Sequence, residues 1–227
     1  MTFDTPLLTG LAVTLVVNGL TMELLERAFY APRFAANHFR APWKTRATDA
    51  LKRQLAVANI TISLALLFGA TILLHDRFVT AAPTHPAIAA LRALGGLALY
   101  DFLYYFLHRG MHHRKLMRWI HAIHHGAKTP SARESLYAHP VEIAAGLALF
   151  IFSMGVVGPL PAWAFLGANF VYSTINIVIH SGIEFPSGPL RVFNYLARKH
   201  HGHHGVDMDK NYASVSPLWD IVFRTAI

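Results

Sequence analysis

The chain has 227 residues, with 20 Lys+Arg against 12 Asp+Glu, a formal net charge of +8, 15 His and no Cys. Its residues are 54% hydrophobic and only 14% charged, against about 25% charged in an ordinary soluble domain; a water-soluble globule and a disordered chain are both excluded. The missing cysteine excludes a disulfide scaffold and a thiolate metal site, which leaves an apolar, basic chain with far more histidine than its length predicts.

About 20 apolar helical residues cross the hydrocarbon core of a bilayer, so long uncharged stretches place the spans. The first runs from Thr5 to Met22, between Asp4 and Glu23. It has the length of a signal peptide but neither a basic leading segment nor a small-residue cleavage site, so it is expected to remain as an anchor. The second runs from Gln54 to His75, between Arg53 and Asp76. The third, Ala87 to Leu107, is apolar except for Arg92 and Asp101. The longest stretch is Ile143 to Ile183, between Glu142 and Glu184. As one helix it would extend roughly 60 Å, twice the bilayer core. It must fold back, and Gly158-Pro159-Leu160-Pro161 is the expected turn. The fold class is therefore all-α, a polytopic membrane bundle of four to five spans whose last two form a hairpin. No repeat or flexible linker interrupts it, so residues 1–227 read as one domain.

Basic residues orient the bundle. The loop after the first span holds Arg27, Arg33, Arg40, Lys44, Arg46, Lys52 and Arg53, whereas the loop after the second holds only Arg77. The segment from His108 to Glu142 carries Arg109, Arg114, Lys115, Arg118, Lys128 and Arg133, and the tail carries Arg191, Arg198, Lys199, Lys210 and Arg224. With the N-terminus outside, every rich loop is cytoplasmic. The positive charge then serves orientation and contact with anionic headgroups, and no nucleic-acid partner is expected.

Twelve of the fifteen histidines lie between His108 and His204, all on that expected cytoplasmic side. They form three clusters: His108 and His112, followed by His113; His121, His124 and His125; and His200, His201, His203 and His204. On a helix, residues three or four apart share a face, so each cluster can aim ring nitrogens at one metal. Eight imidazoles in the repeated pattern exceed what one ion takes, and two metals sharing them is the natural count. Neutral imidazole suits Zn, Cu, Fe and Ni alike. His38, His75 and His85 read as interfacial polar residues. His113 and His201 fall off the repeat, as outer or surface residues or as ligands.

Other polar residues support a buried site. Asp101 lies inside a span, where a carboxylate by default suggests function. It stands two helical turns before His108, where it could accept a hydrogen bond from a metal-bound imidazole, or else pair with Arg109. His180 closes the hairpin with Asn176 one turn earlier; it completes the site or caps the span. His139, before Pro140, suits a helix cap. Phe102, Tyr105, Phe106, Phe165, Phe170 and Tyr172 are available to line a lipid slot, or else to pack.

With these residues in place the chain resembles the fatty acid hydroxylase/sterol desaturase superfamily of membrane diiron oxygenases. The family's HxxxH, HxxHH and later HxxHH boxes match His108–His112, His121–His125 and His200–His204, and HPVE at His139–Glu142, NIVIHSGIEFP at Asn176–Pro186, and the closing Asp209-Lys210-Asn211-Tyr212, Trp219-Asp220 and Phe223-Arg224-Thr225 fit too. The likeness covers about residues 90 to 225. It implies that His108, His112, His121, His124, His125, His200, His203 and His204 hold two iron ions, with zinc as a substitute, and that His180 is a further ligand. Hydroxylase relatives place a histidine where Asn176 stands, and the family often has Gly in place of Arg224. The chain stops at Ile227, soon after the end motif, which puts lid contacts in question more than the metal site. The resemblance further implies O2-dependent hydroxylation or desaturation of a lipid in the bilayer, with a separate electron donor (a reductase, ferredoxin or cytochrome), because the chain has no flavin, haem or ferredoxin module. A histidine-rich membrane metal transporter or metal-binding protein is the competing reading, and it would place its ligands nearer the bilayer midplane.

Overall fold

The computed structural model describes residues 4–43 and 47–227; Lys44 and Arg46, counted above in the basic loop, lie outside the described residues. Five helices are long and apolar enough to cross a membrane: α1 (Thr5–Tyr30), α2 (Asp49–Leu73), α3 (Pro86–Met111), α4 (Pro140–Val157) and α5 (Ala162–Ile179). Two shorter helices follow, α6 (Asn194–His204) and α7 (Leu218–Val222). No strand occurs among the described residues, only isolated bridges that tie loops together at each end of the bundle, His38 to Ile183 and Val79 to Leu160.

Four of the five spans start at a residue whose side chain satisfies an orphan N–H group. Asp4 accepts from the Leu7 N–H at 2.9 Å and Thr48 from the Leu51 N–H at 3.2 Å. His85 and His139 cap α3 and α4, each followed by a proline in the first turn. The expected hairpin turn is present: α4 ends at Gly158, in the left-handed region with φ +76°, and α5 begins after Pro161.

Two spans run further than the charges suggested. α1 continues to Tyr30 past Glu23, Glu26 and Arg27 because these residues are paired. Glu23 meets Arg27 at 2.7 Å and also Arg133, while Glu26 accepts the Arg133 N–H at 3.0 Å. α2 begins at Asp49, ahead of Gln54, and its Lys52 pairs with Glu134 at 2.6 Å. Both helices thus extend beyond the apolar layer into the polar end of the bundle.

Inside the layer, α4 packs between α2 and α3, and α5 packs on α1 and α3. Their shared core includes Leu7, Leu11, Phe78, Leu97, Phe150 and Phe165. Val16, Leu24, Leu91, Leu94 and Val156 remain exposed on the outside, as lipid-facing residues should. A smaller core of Leu25, Phe29, Ile177, Val178, Ile183 and Phe185 joins α1 and α5 near the polar end. That end carries the loops following α1, α3 and α5, and with them every histidine cluster.

Gly182 turns the chain just after α5 with φ +70°, and a Cβ there would lie 2.5 Å from the Pro130 carbonyl oxygen and 2.6 Å from Phe29 Cε2. Gly188 also has positive φ, +83°, but open space around it. Gly188→Ala is expected to cost only the backbone strain, about 1 kcal/mol. Gly182→Ala adds the overlap and lowers the thermal midpoint of the detergent-solubilised protein by clearly more, the two being compared in one unfolding series.

Candidate metal centre

The nine expected histidines come together from four parts of the chain. α3 delivers His108 and His112 from its last turn and C-cap. After α3, a single turn at Arg114–Leu116 leads into a π-helical turn, Met117–His121, and then Ala122–His124, with His125 as C-cap. α5 presents His180 at its own C-cap, and α6 carries His200, His203 and His204. The ring nitrogens form two groups, each with all its atoms within 4.8 Å of one another: His108, His112, His121, His125 and His203 in one, His124, His180, His200 and His204 in the other.

Helical spacing explains the partition. In each HxxHH box the residues four apart share a face, and the residue between them faces about 100° away. His121 and His125 therefore enter the first group and send His124 to the second. His200 and His204 enter the second and send His203 to the first. The two boxes cross-link the groups, while HxxxH supplies its pair to the first group alone.

Within the first group the Nε2 atoms of His108, His121, His112 and His203 follow one another around a ring at 3.0–3.1 Å, and His125 Nε2 stands 3.0 Å from that of His121. In the second, His124 meets His180 at 3.2 Å, His180 meets His200 at 2.8 Å, and His200 meets His204 at 3.1 Å. Five of the nine rings give Nδ1–H to a backbone carbonyl: His108 to Tyr212 at 2.8 Å, His124 to Tyr137 at 3.2 Å, His180 to Asn176 at 2.6 Å, His203 to Lys210 at 2.5 Å and His204 to Ala127 at 2.9 Å. That hydrogen bond fixes the tautomer and leaves Nε2 as a bare lone pair. Lone pairs facing each other at 3 Å repel unless a cation lies between them. The donor set therefore fits metal ions in both groups.

A ring of acidic side chains lies behind the imidazoles. Glu142 Oε2 sits 3.0 Å from His121 Nδ1, a close but unaligned approach: neither atom makes a hydrogen bond among the described residues. Asp220 is fully buried and accepts from the Tyr212 and Ala213 N–H groups at 2.7 and 3.0 Å and from Thr225 at 2.9 Å, while pairing with buried Lys199. It thereby holds the strand of chain whose Tyr212 carbonyl receives His108. Asp101 departs from expectation. Its partner is not an imidazole: its oxygens accept from the N–H groups of Ser214, Val215 and Ser216 and from the Ser216 hydroxyl. A backbone loop at that depth has no water to satisfy it, so the carboxylate does, and it acts on His108 only through that loop. Neither Glu142 nor Asp220 was singled out beyond its motif. The signal for Glu142 was a carboxylate in the first turn of a span, one turn after His139.

The remaining residues separate cleanly. His113 is exposed, and His139 caps α4 by accepting the Val141 N–H at 3.1 Å. His201 is buried against Phe39 with both ring nitrogens unpaired, outside both groups. Asn176 contributes its carbonyl to His180. His38 bonds the Phe29 carbonyl at 2.8 Å, and His75 pairs with Asp4 and Asp76.

Burial pushes the imidazoles beyond the spans down from the usual value near 6.5: His112 and His180 to about 3 and His121 to about 4, with His124, His125, His200, His203 and His204 lowered as well. They are neutral at physiological pH, the state a metal requires.

A cavity of about 490 Å³ reaches from His108, His124, His180 and His200 into the apolar layer. Val16 on α1 and Ile60 and Leu64 on α2 both line it and are exposed on the outside, at 63%, 45% and 38%. It opens toward lipid between these helices. Of the six aromatic residues expected to line such a slot or to pack, Tyr172 lines it, joined by Tyr100 and Tyr104; Phe165 belongs to the core, Phe170 is exposed, and Phe102, Tyr105 and Phe106 pack against Trp219 and Phe223.

The fatty acid hydroxylase family model matches residues 93–225. Methylsterol monooxygenase 1 of Rattus norvegicus is 34% identical over 142 residues, 60% of this chain and 46% of that protein. Methylsterol monooxygenase 1 of Danio rerio is 32% identical over 146 residues, 63% and 49%. Very-long-chain aldehyde decarbonylase GL1-11 of Oryza sativa subsp. indica is 31% identical over 149 residues, 62% and 54%. The chain spans about half the length of these curated relatives. No solved structure matches it.

Between pH 6.5 and about 3, the unfolded chain takes up protons that the buried imidazoles refuse. Stability of the metal-free protein is therefore full above pH 6.5 and falls steadily as pH drops through that window. Near-UV circular dichroism across an acid titration in detergent measures it, and a flat profile from pH 7 to 4 would contradict the burial of neutral rings.

Proposed function

The chain belongs to the fatty acid hydroxylase family, and from that membership we propose that it is a membrane diiron oxygenase. It hydroxylates or desaturates a C–H bond of a lipid, using O2 and electrons from a separate donor. One observation carries this reading: two groups of converging imidazole lone pairs stand at the head of an apolar cavity that opens to lipid.

In this reading His108, His112, His121, His125 and His203 hold one iron, and His124, His180, His200 and His204 hold the other. Ligand spacing supports iron over a tetrahedral zinc. At a metal–nitrogen distance of about 2.1 Å, ligands at right angles stand about 3.0 Å apart and tetrahedral ones about 3.4 Å; neighbouring nitrogens here are separated by 2.8–3.2 Å, with others in each group up to 4.8 Å apart. When bound, an iron pair supplies the O2 activation that an unactivated carbon demands.

The chain's own residues do the rest. In five of the nine rings a backbone carbonyl keeps the proton on Nδ1, so Nε2 stays a donor to metal. Glu142 places its carboxyl 3.0 Å from His121 Nδ1, where a small turn of the ring lets it take that N–H and hold the imidazole's orientation. The apolar walls from α1, α2, α4 and α5 hold the lipid chain and exclude water, with the target carbon brought beneath the histidines.

The relatives are named for a methylsterol and a very-long-chain aldehyde, which supports a sterol or a fatty acyl chain as substrate; an ornithine lipid, an ether lipid and a carotenoid share the needed apolar length. The basic loops favour the histidines on the cytoplasmic side and the N-terminus outside. Arg114, Lys115, Arg118 and Arg191 are exposed at that end and suit an acidic electron donor. A transporter would gather its ligands near the bilayer midplane; here both groups sit at one end of the bundle, as a cap.

Expression with iron and a reductase, followed by comparison of lipidomes with His124→Ala, is expected to reveal an oxygenated or desaturated lipid that the variant does not make. Unchanged lipids with active reductase present would count against the oxygenase. Separately, Glu142→Ala is expected to weaken iron binding about 10–100-fold, read by chelator competition on the purified protein.

A further inference from the structure

Three asparagines are buried within the spans, and two of them are used by the fold. Asn18 on α1 donates to the Ser173 hydroxyl at 2.7 Å and accepts from Thr174 at 2.9 Å, joining α1 to α5. Asn59 on α2 donates to the carbonyls of Leu136 and Ala138, both at 2.9 Å. Asn169 on α5 is different. It is 3% exposed, and its side-chain amide has no hydrogen-bond partner among the described residues. Ser173, one turn away, bonds the Asn169 carbonyl and not the amide.

The amide borders the cavity. It lies 11 residues before His180 on the same helix, roughly 16 Å along the axis from the histidines. Helices cross a bilayer only when their polar groups are satisfied internally, so a lone amide at that depth costs stability. Packing gains nothing from it, since a leucine of similar size would fill the wall. A ligand gains from it: a hydroxyl or ketone can pair with its N–H groups or its carbonyl.

The lining also says what that ligand is not. Among the described residues, and apart from the histidines, the ionisable side chains bordering the cavity are Glu142, beside His121, and the tyrosines; none of the described lysines, arginines or aspartates borders it. A phosphate or carboxylate headgroup at the Asn169 end would have no counter-charge.

Resting on the oxygenase reading, we propose that Asn169 is the recognition residue for a neutral lipid alcohol or ketone. The oxygen-bearing end of this lipid binds deep in the bundle, and its apolar body extends toward the histidines. The carbon oxidised is then at the far end of the molecule, roughly 16 Å from the recognised oxygen, and the product carries oxygen or a new double bond opposite its original polar end.

Binding tests this without turnover. The full chain in nanodiscs, stripped of metal, is titrated with radiolabelled cholesterol and with cholest-5-ene, the same skeleton without the hydroxyl. Wild type is expected to bind the alcohol at least tenfold more tightly than the hydrocarbon. Asn169→Leu should reduce that ratio below about threefold through loss of alcohol affinity, with hydrocarbon affinity kept or improved. Asn169→Gln, which retains an amide and guards against a folding defect in the leucine variant, should keep part of the preference. The proposal is overturned if wild type binds the two equally or binds neither, or if Asn169→Leu retains the full preference. Because no chemistry is read, failure of the oxygenase reading leaves this result standing, and the reverse holds too.

Discussion

Nine imidazoles converging in two groups are the constraint around which this molecule is built. Each alone would be an ordinary buried histidine. Together, at spacings near 3 Å, they repel, and no rearrangement of protons relieves them because at least five have already committed Nδ1–H to a carbonyl. Cations at the two foci would turn that repulsion into attraction. The apolar bundle then acts as a scaffold that prevents the rings from turning away.

The supporting polar framework follows from burial. A metal-bound histidine needs its second nitrogen anchored, and the anchors must come from backbone that no water reaches. Hence the carbonyls of Ala127, Tyr137, Asn176, Lys210 and Tyr212, all but Asn176 on loops that something else must hold in place. Asp220 and Asp101 do so for the last of these, taking up the N–H groups of residues 212–216 between them. The buried pair of Lys199 and Asp220 is best understood this way. Its worth lies less in its own attraction, which desolvation offsets, than in fixing where the Tyr212 carbonyl points.

Much of this was legible in the sequence, for identifiable reasons. Spans and the Gly158–Pro161 turn depend on local polarity and on glycine and proline, which act over a few residues. The histidine boxes depend on helical spacing, so both their membership and the need for two foci could be read. What stayed hidden depends on partners far along the chain. The partner of Asp101 lies 113 residues away, so its place in a span pointed wrongly to the imidazole two turns on. α1 outran its apolar stretch because Arg133, more than 100 residues later, pairs with Glu23. Which group takes the HxxxH pair depends on how the end of α3 meets the two later boxes, and no single helix carries that information. Asn169 looked like any polar residue in a long helix until its lack of a partner could be seen.

The account stands or falls on two metal ions held by imidazole alone. Iron analysis of the purified protein, combined with X-ray absorption at the iron edge, tests this most directly. Two irons per chain with a first shell dominated by nitrogen, dropping sharply in His124→Ala, is the result expected. One tightly held ion per chain, or a shell rich in carboxylate oxygen and unchanged by that substitution, would contradict it.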